Sequence, residues 1–253
     1  MKYLLVIATY PDDRQRQFEE QHSPRNKKYC SLHRFKYIEV NSLNWIPEKC
    51  QQRHVFWYRW FFIQYLMNNG FLKDGDIIAH LDADICIVNG KLSFVPPKGK
   101  SFAYAIDSCN THCMGAFTIK VNDWSRGMVD NLLNEERWEK FKDTPFWKMF
   151  HDQASWYSLA GIKSIFGDPN QLGWDNFPYL GWGSDIENKA VYSIEELIEN
   201  VEILPVEWNV TTWRKNNVYF RFPTKTEKKE DVIFRHFASK VKWEEEWAKI
   251  KMI

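Results

Sequence analysis

The chain has 253 residues, of which 44% are hydrophobic, and its 34 basic and 33 acidic side chains leave a formal net charge of +1. That length buries a substantial core without disulfide staples, and so even a charge balance gives no electrostatic basis for nucleic acid or an anionic membrane as the principal partner. Aromatic residues reach 17%, with 13 Trp, and their flat faces suit either a core or the C–H face of a sugar ring.

Lys2 to Ala8 is a continuous apolar run that predicts the first strand, left by a turn over Thr9-Tyr10-Pro11-Asp12-Asp13. This opening is too short in its apolar part for a secretory signal, and no run approaches the ~20 apolar residues of a membrane span, so the sequence reads as a cytoplasmic chain. Arg14 to Gln21 is polar and compatible with a helix, and Tyr37 to Val40 predicts a second strand. From about Gln52 to Asn69 the apolar spacing predicts a largely buried helix that stops at Asn69-Gly70. Arg59 lies on its apolar face and needs an anionic partner there, either a carboxylate or a bound phosphate.

The next stretch, Asp76 to Val88, reads as a short buried strand interrupted by Asp82 and Asp84, which a core does not hold unpaired. In extended chain, residues two apart face the same way. Both carboxylates can then converge on one divalent cation at the C-terminal edge of a sheet, where open α/β sheets bind ligands. A bare Asp-x-Asp is more often a capped, solvated turn, so the rest of the chain has to decide.

Phe102 to Ile106 and Gly115 to Ile119 predict strands, and Trp124 to Leu133 and Asp152 to Leu159 predict helices. A loop-like, aromatic stretch follows from Gly173 to Asp185 (Trp174, Phe177, Tyr179, Trp182), suited to binding something flat or to packing on itself. Val201 to Pro205 and Val232 to Arg235 are short strands, Thr224 to Asp231 is a solvated charged segment, and Trp243, Trp247 and Ile250 mark an amphipathic closing helix. Strands alternating with helices predict an α/β fold with a mostly parallel, doubly wound sheet flanked by helices. The five cysteines (Cys30, Cys50, Cys86, Cys109, Cys113) form no paired framework, which suits a reducing compartment, and Cys109 to Cys113 lacks the second cluster of a structural zinc site. The sequon Asn209-Val210-Thr211 matters only in a secreted protein.

Taken in order, several segments resemble the landmarks of the retaining glycosyltransferases of family 8, the group of glycogenin and the lipooligosaccharide galactosyltransferases, and more weakly those of family 34. They are Trp57-Tyr58-Arg59-Trp60 with Leu66, Asp76 to Ile85, Ala105-Ile106-Asp107, Gly115 to Ile119 with Trp124, Asp152-Gln153, Leu204-Pro205 with Trp208-Asn209, and His236-Phe237-Ala238 with Lys242. The resemblance implies a single GT-A domain over residues 1–253, with a nucleotide-sugar lobe to about residue 100 and an acceptor lobe with a C-terminal metal and diphosphate segment after it.

The activity so implied is transfer of a hexose or pentose, with retention, from a nucleotide-sugar donor to a glycan hydroxyl, the donor being a UDP-sugar in preference to a GDP-sugar. The implied cofactor is Mn²⁺, with Mg²⁺ as a substitute, on oxygens of Asp82 and Asp84 and a nitrogen of His236. By the same resemblance Ala8, Thr9 and Tyr10 hold the nucleoside, Arg59 meets the donor sugar or phosphate, and the Asp82-Ala83-Asp84 run faces the donor. Asp107 meets sugar hydroxyls, and Lys242 (or Lys240) the diphosphate. Gln153 and Asp152 fall on the catalytic segment. An amide is a poor nucleophile but stabilises oxocarbenium character, and a same-face reaction in which a donor phosphate oxygen takes the acceptor's proton needs no protein nucleophile. Asp152 equally suits a helix N-cap.

Two departures from the family pattern stand out. Cys113-Met114 precedes Gly115 where the family has Asn, and the segment from Asp107 to Gly115 is short, so the acceptor lid is reduced or built from the aromatic stretch. Other readings are an inverting enzyme with Asp152 or Asp185 as base, a lectin-like protein that binds glycan without turnover, and a nucleotidyltransferase, which lacks its Gly-rich phosphate loop here.

Overall fold

The computed structural model describes residues 1–9, 15–16, 18–107, 112–162, 190–211 and 233–236. Tyr10, Lys240, Lys242, the aromatic stretch from Gly173 to Asp185, the charged segment at 224–231 and the closing helix lie outside the described residues, as do Cys109 to Thr111.

A six-stranded sheet forms the body. It contains β1 (Lys2–Ile7), β2 (Lys36–Val40), β3 (Ile77–Leu81), β5 (Phe102–Ile106), β6 (His112–Lys120) and β7 (Val201–Leu204), in the order β2-β1-β3-β6-β5-β7. The β1/β2, β1/β3 and β5/β7 pairs are parallel, while β6 runs antiparallel to both of its neighbours. A second sheet of three short strands joins β4 (Ile85–Ile87), β9 (Phe234–His236) and β8 (Val210–Thr211) in the order β4-β9-β8.

Both faces of the large sheet are covered, which is why β1 reads as an unbroken apolar run. Its alternate residues enter different cores: Tyr3 and Leu5 pack with Trp57, Trp60 and Trp156, and Leu4 and Val6 with Phe18, Phe94 and Phe234. Helices α2 (Tyr58–Asn68), α3 (Asp123–Leu132) and α6 (Asp152–Ala160) supply the first core. Trp60 lies parallel to Phe117 of β6 at a centroid distance of 4.4 Å. Trp57, Trp60, Trp147 and Trp156 are fully buried, so these rings fill the interior and do not line a sugar-binding surface.

The chain departs from its predicted elements in three places. The polar segment after β1 becomes a wide turn of helix, Phe18–His22, running straight into α1 (Ser23–His33), whose buried face is made by Ser23, Asn26, Tyr29 and Cys30 and so carries little apolar signal. The helix expected from Gln52 is broken into 3₁₀ turns at Glu48–Gln52 and Val55–Trp57, and only then becomes α2. Most consequential, residues 77–87 are not one strand. β3 ends at Leu81, Asp82 and Asp84 sit in a turn closed by Ile85 N–H donating to the Asp82 carbonyl at 2.9 Å, and β4 leaves for the small sheet. The two carboxylates therefore approach each other through a turn, not through strand alternation. The short helices α4 (Glu135–Phe141), α5 (Pro145–Phe150) and α7 (Ile194–Asn200) complete the described elements, and among the described residues no helix is long and apolar enough to cross a membrane.

His22 ties the wide helical turn to this junction, its Nδ1 lying 3.1 Å from the Ile85 carbonyl. Burial pushes its imidazole down to about 4, against an ordinary value of 6.5. Folded His22 thus stays neutral while the unfolded chain takes up a proton, so its contribution is complete above pH 6.5 and is lost as pH falls toward 4. The expected loss across that window is about 3 kcal/mol. Urea unfolding of wild type and His22→Asn, compared near neutral pH and near the lower limit, should show the smaller acid loss in the variant.

Candidate active site

The turn between β3 and β4 lies at the C-terminal edge of the large sheet. Because β1 runs parallel to β3 with Leu5 opposite His80, Ala8 and Thr9 emerge at the same edge as Asp82. Ala8 is buried and held by its N–H to the Val40 carbonyl at 2.8 Å, and Thr9 is half-buried. Asp107, also buried, follows the end of β5.

Arg59 is the hub of this edge. It is 3% exposed, and its Nε donates to Asp152 Oδ2 at 3.1 Å and to the Phe56 carbonyl at 2.9 Å. Nη2 reaches Asp152 Oδ1 at 3.4 Å, and Nη1 donates to Asp82 Oδ1 and to the Met114 carbonyl. Of the two anionic partners open to it from sequence, carboxylates fill the role. Asp152, 1% exposed, also accepts from Trp60 Nε1 at 2.8 Å. It is the first residue of α6, and the N-cap position belongs to His151 without any side-chain cap bond, so Asp152 does not serve as the cap.

His80 lies in β3 two residues before Asp82, and its Nε2 is 3.2 Å from Arg59 Nη1 and 3.1 Å from Asp82 Oδ1. Burial keeps its imidazole below the ordinary value. Burial alone would raise the Asp82 carboxyl, but Arg59 and His80 hold it below the usual carboxylate range. Asp152 goes the other way, since burial raises it by more than Arg59 and Trp60 lower it.

The small sheet brings in the third donor. Antiparallel pairing puts His236 opposite Ile85, and its Nε2 lies 3.2 Å from Asp84 Oδ1. Its Nδ1 is 3.1 Å from Oδ1 of the buried Asn209, which accepts the ring proton and leaves Nε2 facing the carboxylates. Burial opposes protonation of His236, yet Asp84 raises it well above its ordinary value. One ligand atom from each of Asp82, Asp84 and His236 lies within 4.8 Å of the others.

This set fits a divalent cation. Two carboxylate oxygens and one imidazole nitrogen suit Mn²⁺ or Mg²⁺ better than a thiolate-seeking metal. The floor is also shaped for it: a Cβ on Gly115 would stand 2.9 Å from Asp82 Oδ2 and 3.1 Å from His236 Cε1, so the bare backbone keeps this hollow open. Ala83 lies buried between the two aspartates.

Gln153 follows Asp152 on α6, and its Oε1 accepts from the Met114 N–H at 3.1 Å. The Met114 peptide is thereby clamped between Gln153 and Arg59, one residue from Gly115. The structure thus brings together Arg59, Asp82, Asp84, Asp152, Gln153 and His236, with Ala8, Thr9 and Asp107 at the same sheet edge. Sequence reasoning passed over His80, Asn209 and Gly115 as contributors. His80 carried a signal in its two-residue spacing from Asp82, while Asn209 and Gly115 fell within the landmark segments Trp208-Asn209 and Gly115 to Ile119 without being given a role.

No protein-family model matches this sequence, and no curated protein matches it either. Among solved structures, a glycosyltransferase involved in the glycosylation of the major capsid of PBCV-1 superposes with a TM-score of 0.52 at 13% identity, over 98% of this chain and 99% of that one. The galactosyltransferase LgtC in complex with donor and acceptor sugar analogs gives 0.47 at 12% identity over 100% and 97%. The glycosyltransferase GlyE of Streptococcus pneumoniae TIGR4 gives 0.48 at 13% over 100% and 61%.

Removing one partner of a buried ion pair strands the other, so Asp152→Ala should lower stability by about 3–5 kcal/mol. Asp152→Asn, which keeps an acceptor for Trp60, should lose less; urea unfolding of the two variants measures the difference. The central sheet, its flanking helices and the full-length superposition give this chain the GT-A fold seen in glycosyltransferases.

Proposed function

We propose that this chain is a metal-dependent glycosyltransferase that moves a sugar from a nucleotide-sugar donor to a glycan hydroxyl with retention, and that the donor is a UDP-sugar in preference to a GDP-sugar. The observation that carries this reading is the convergence of Asp82, Asp84 and His236 at the ligand-binding edge of a GT-A sheet. Asp82, Asp84 and His236 would hold Mn²⁺, or Mg²⁺ in its place, which when bound supplies the positive charge that stabilises a departing diphosphate.

The protein's own residues then have distinct tasks. Asn209 fixes the His236 ring so that Nε2 is the donor atom. Arg59 and His80 keep Asp82 ionised and aimed. Ala8 and Thr9, with Tyr10, are assigned to the nucleoside, Ala83 and Asp107 to the donor, and Lys242 to the diphosphate. The nucleotide-sugar lobe is assigned to about residue 100 and the acceptor lobe to the remainder.

With its carbonyl oxygen accepting from the Met114 N–H, the Gln153 amide keeps its NH₂ for donation to negative charge developing on the departing diphosphate, in place of the oxocarbenium-stabilising role, and is not a nucleophile. This favours the same-face route, in which a phosphate oxygen of the donor receives the acceptor's proton. Asp152, buried and bound to Arg59 and Trp60, is poorly placed to be the base of an inverting enzyme.

Calorimetric titration with UDP and GDP, with and without Mn²⁺, tests the proposal. UDP is expected to bind with Mn²⁺ (or Mg²⁺ in its place) and not without a divalent cation, Asp84→Ala should abolish that binding, and Asn209→Ala should weaken Mn²⁺ affinity by about 10–100-fold. If no nucleotide binds under any condition the transferase reading fails. Glycan binding indifferent to Mn²⁺ and to Asp84→Ala would instead mark a lectin-like protein.

A further inference from the structure

We propose that His54, Phe56 and His151 form a stacking subsite for a pyranose ring of the acceptor, set against the carboxylate cluster on its Arg59 side. The proposal rests on the glycosyltransferase reading and names the acceptor surface within it.

Three observations meet here. First, the residues entering α2 present an outward apolar and aromatic surface: Phe56 is 43% exposed, Val55 40%, and His54 is exposed as well. The rings are already ordered. His54 and His151 stack at 4.0 Å with planes 9° apart, and Phe56 lies 4.5 Å from the His54 ring and 5.4 Å from that of His151.

Second, this surface adjoins Arg59, the hub of the site. The Arg59 guanidinium lies 5.7 Å from the Phe56 ring centre while donating to the Phe56 carbonyl and to Asp82. On the other side, His151 immediately precedes Asp152, the second carboxylate on Arg59. The rings therefore border the same Arg59 side chain that holds Asp82.

Third, His151 occupies a backbone conformation that an L-residue adopts at a cost, with φ 50° and ψ −118°. The corner between α5 and α6 uses only its peptide groups, the N–H donating to Trp147 and the carbonyl accepting from Ser155. Glycine would turn this corner without strain. The imidazole is thus not what the corner needs, and its stack on His54 is what it provides. Burial, with His54 and Arg59 nearby, pushes this imidazole down to about 4, so near neutral pH the ring is uncharged. A neutral aromatic face packs on sugar C–H bonds while ring nitrogens remain for hydroxyls.

The test follows the imidazole resonances of His54 and His151 by NMR while lactose, maltose or cellobiose is titrated into protein loaded with UDP and Mg²⁺. At least one disaccharide is expected to shift both resonances. Phe56→Ala should weaken that binding about tenfold while leaving UDP affinity in the presence of Mn²⁺ within about twofold of wild type. His151→Gly should raise the melting temperature and yet weaken disaccharide binding, a combination that a purely structural histidine does not give. If UDP binds but none of the three disaccharides moves either resonance, or if Phe56→Ala binds as tightly as wild type, the subsite is overturned. Disaccharide binding at these rings in a protein that binds no nucleotide would overturn the transferase reading and keep the subsite.

Discussion

The structure depends on the burial of one positive charge. Arg59 sits inside the protein because Asp152 and Asp82 approach it from α6 and from the β3–β4 turn, and the Met114 carbonyl from β6. An isolated guanidinium there would be prohibitive, so helix, turn and strand must be in register for any of them to be stable. The arrangement also sets the balance of charge at the sheet edge. Asp152 and Arg59 offset each other, and Asp82 and Asp84 then face His236 across a hollow that favours a cation.

That hollow lies where two sheets part company. β3 belongs to the large sheet and β4 to the small one, and the aspartates occupy the few residues in between. A turn between sheets is a better mount than a strand tip. Its backbone is pinned on one side by Asp82 N–H donating to the Gly115 carbonyl at 2.7 Å and on the other by pairing of Ile85 with His236. Each carboxylate can point to the same place without obeying strand alternation.

Much of the fold was legible because β1, β3, β5 and β6 are buried on both faces and read as apolar runs, and because α2 carries a dense aromatic pattern. α1 was not legible as a helix, since the side chains it buries include Ser23 and Asn26, whose burial depends on hydrogen bonds to Glu39 and Tyr37 that no local pattern encodes. At the site, Asp82 and Asp84 drew notice as carboxylates within an apolar run and Arg59 as a charge on an apolar helix, while His236 was reached only through ordered resemblance. The break between β3 and β4 escaped because Asp82-Ala83-Asp84 interrupts an otherwise unbroken apolar stretch, and only pairing with a distant segment separates the two strands. Asn209 and Gly115 stood in landmark segments, but their roles were not legible for the same reason: those roles lie in what touches them across the fold.

The pairing of β4 with β9 also makes the site depend on two segments far apart in the chain. All six strands of the large sheet precede β9 in the chain, and none of their pairings requires it. Asp82 and Asp84 follow β3, but the imidazole that faces them comes only with His236 of β9. Disruption of the β4–β9 pairing would spare the strand pairings of the body and leave the hollow open on one side, so the small sheet governs the site separately from the body.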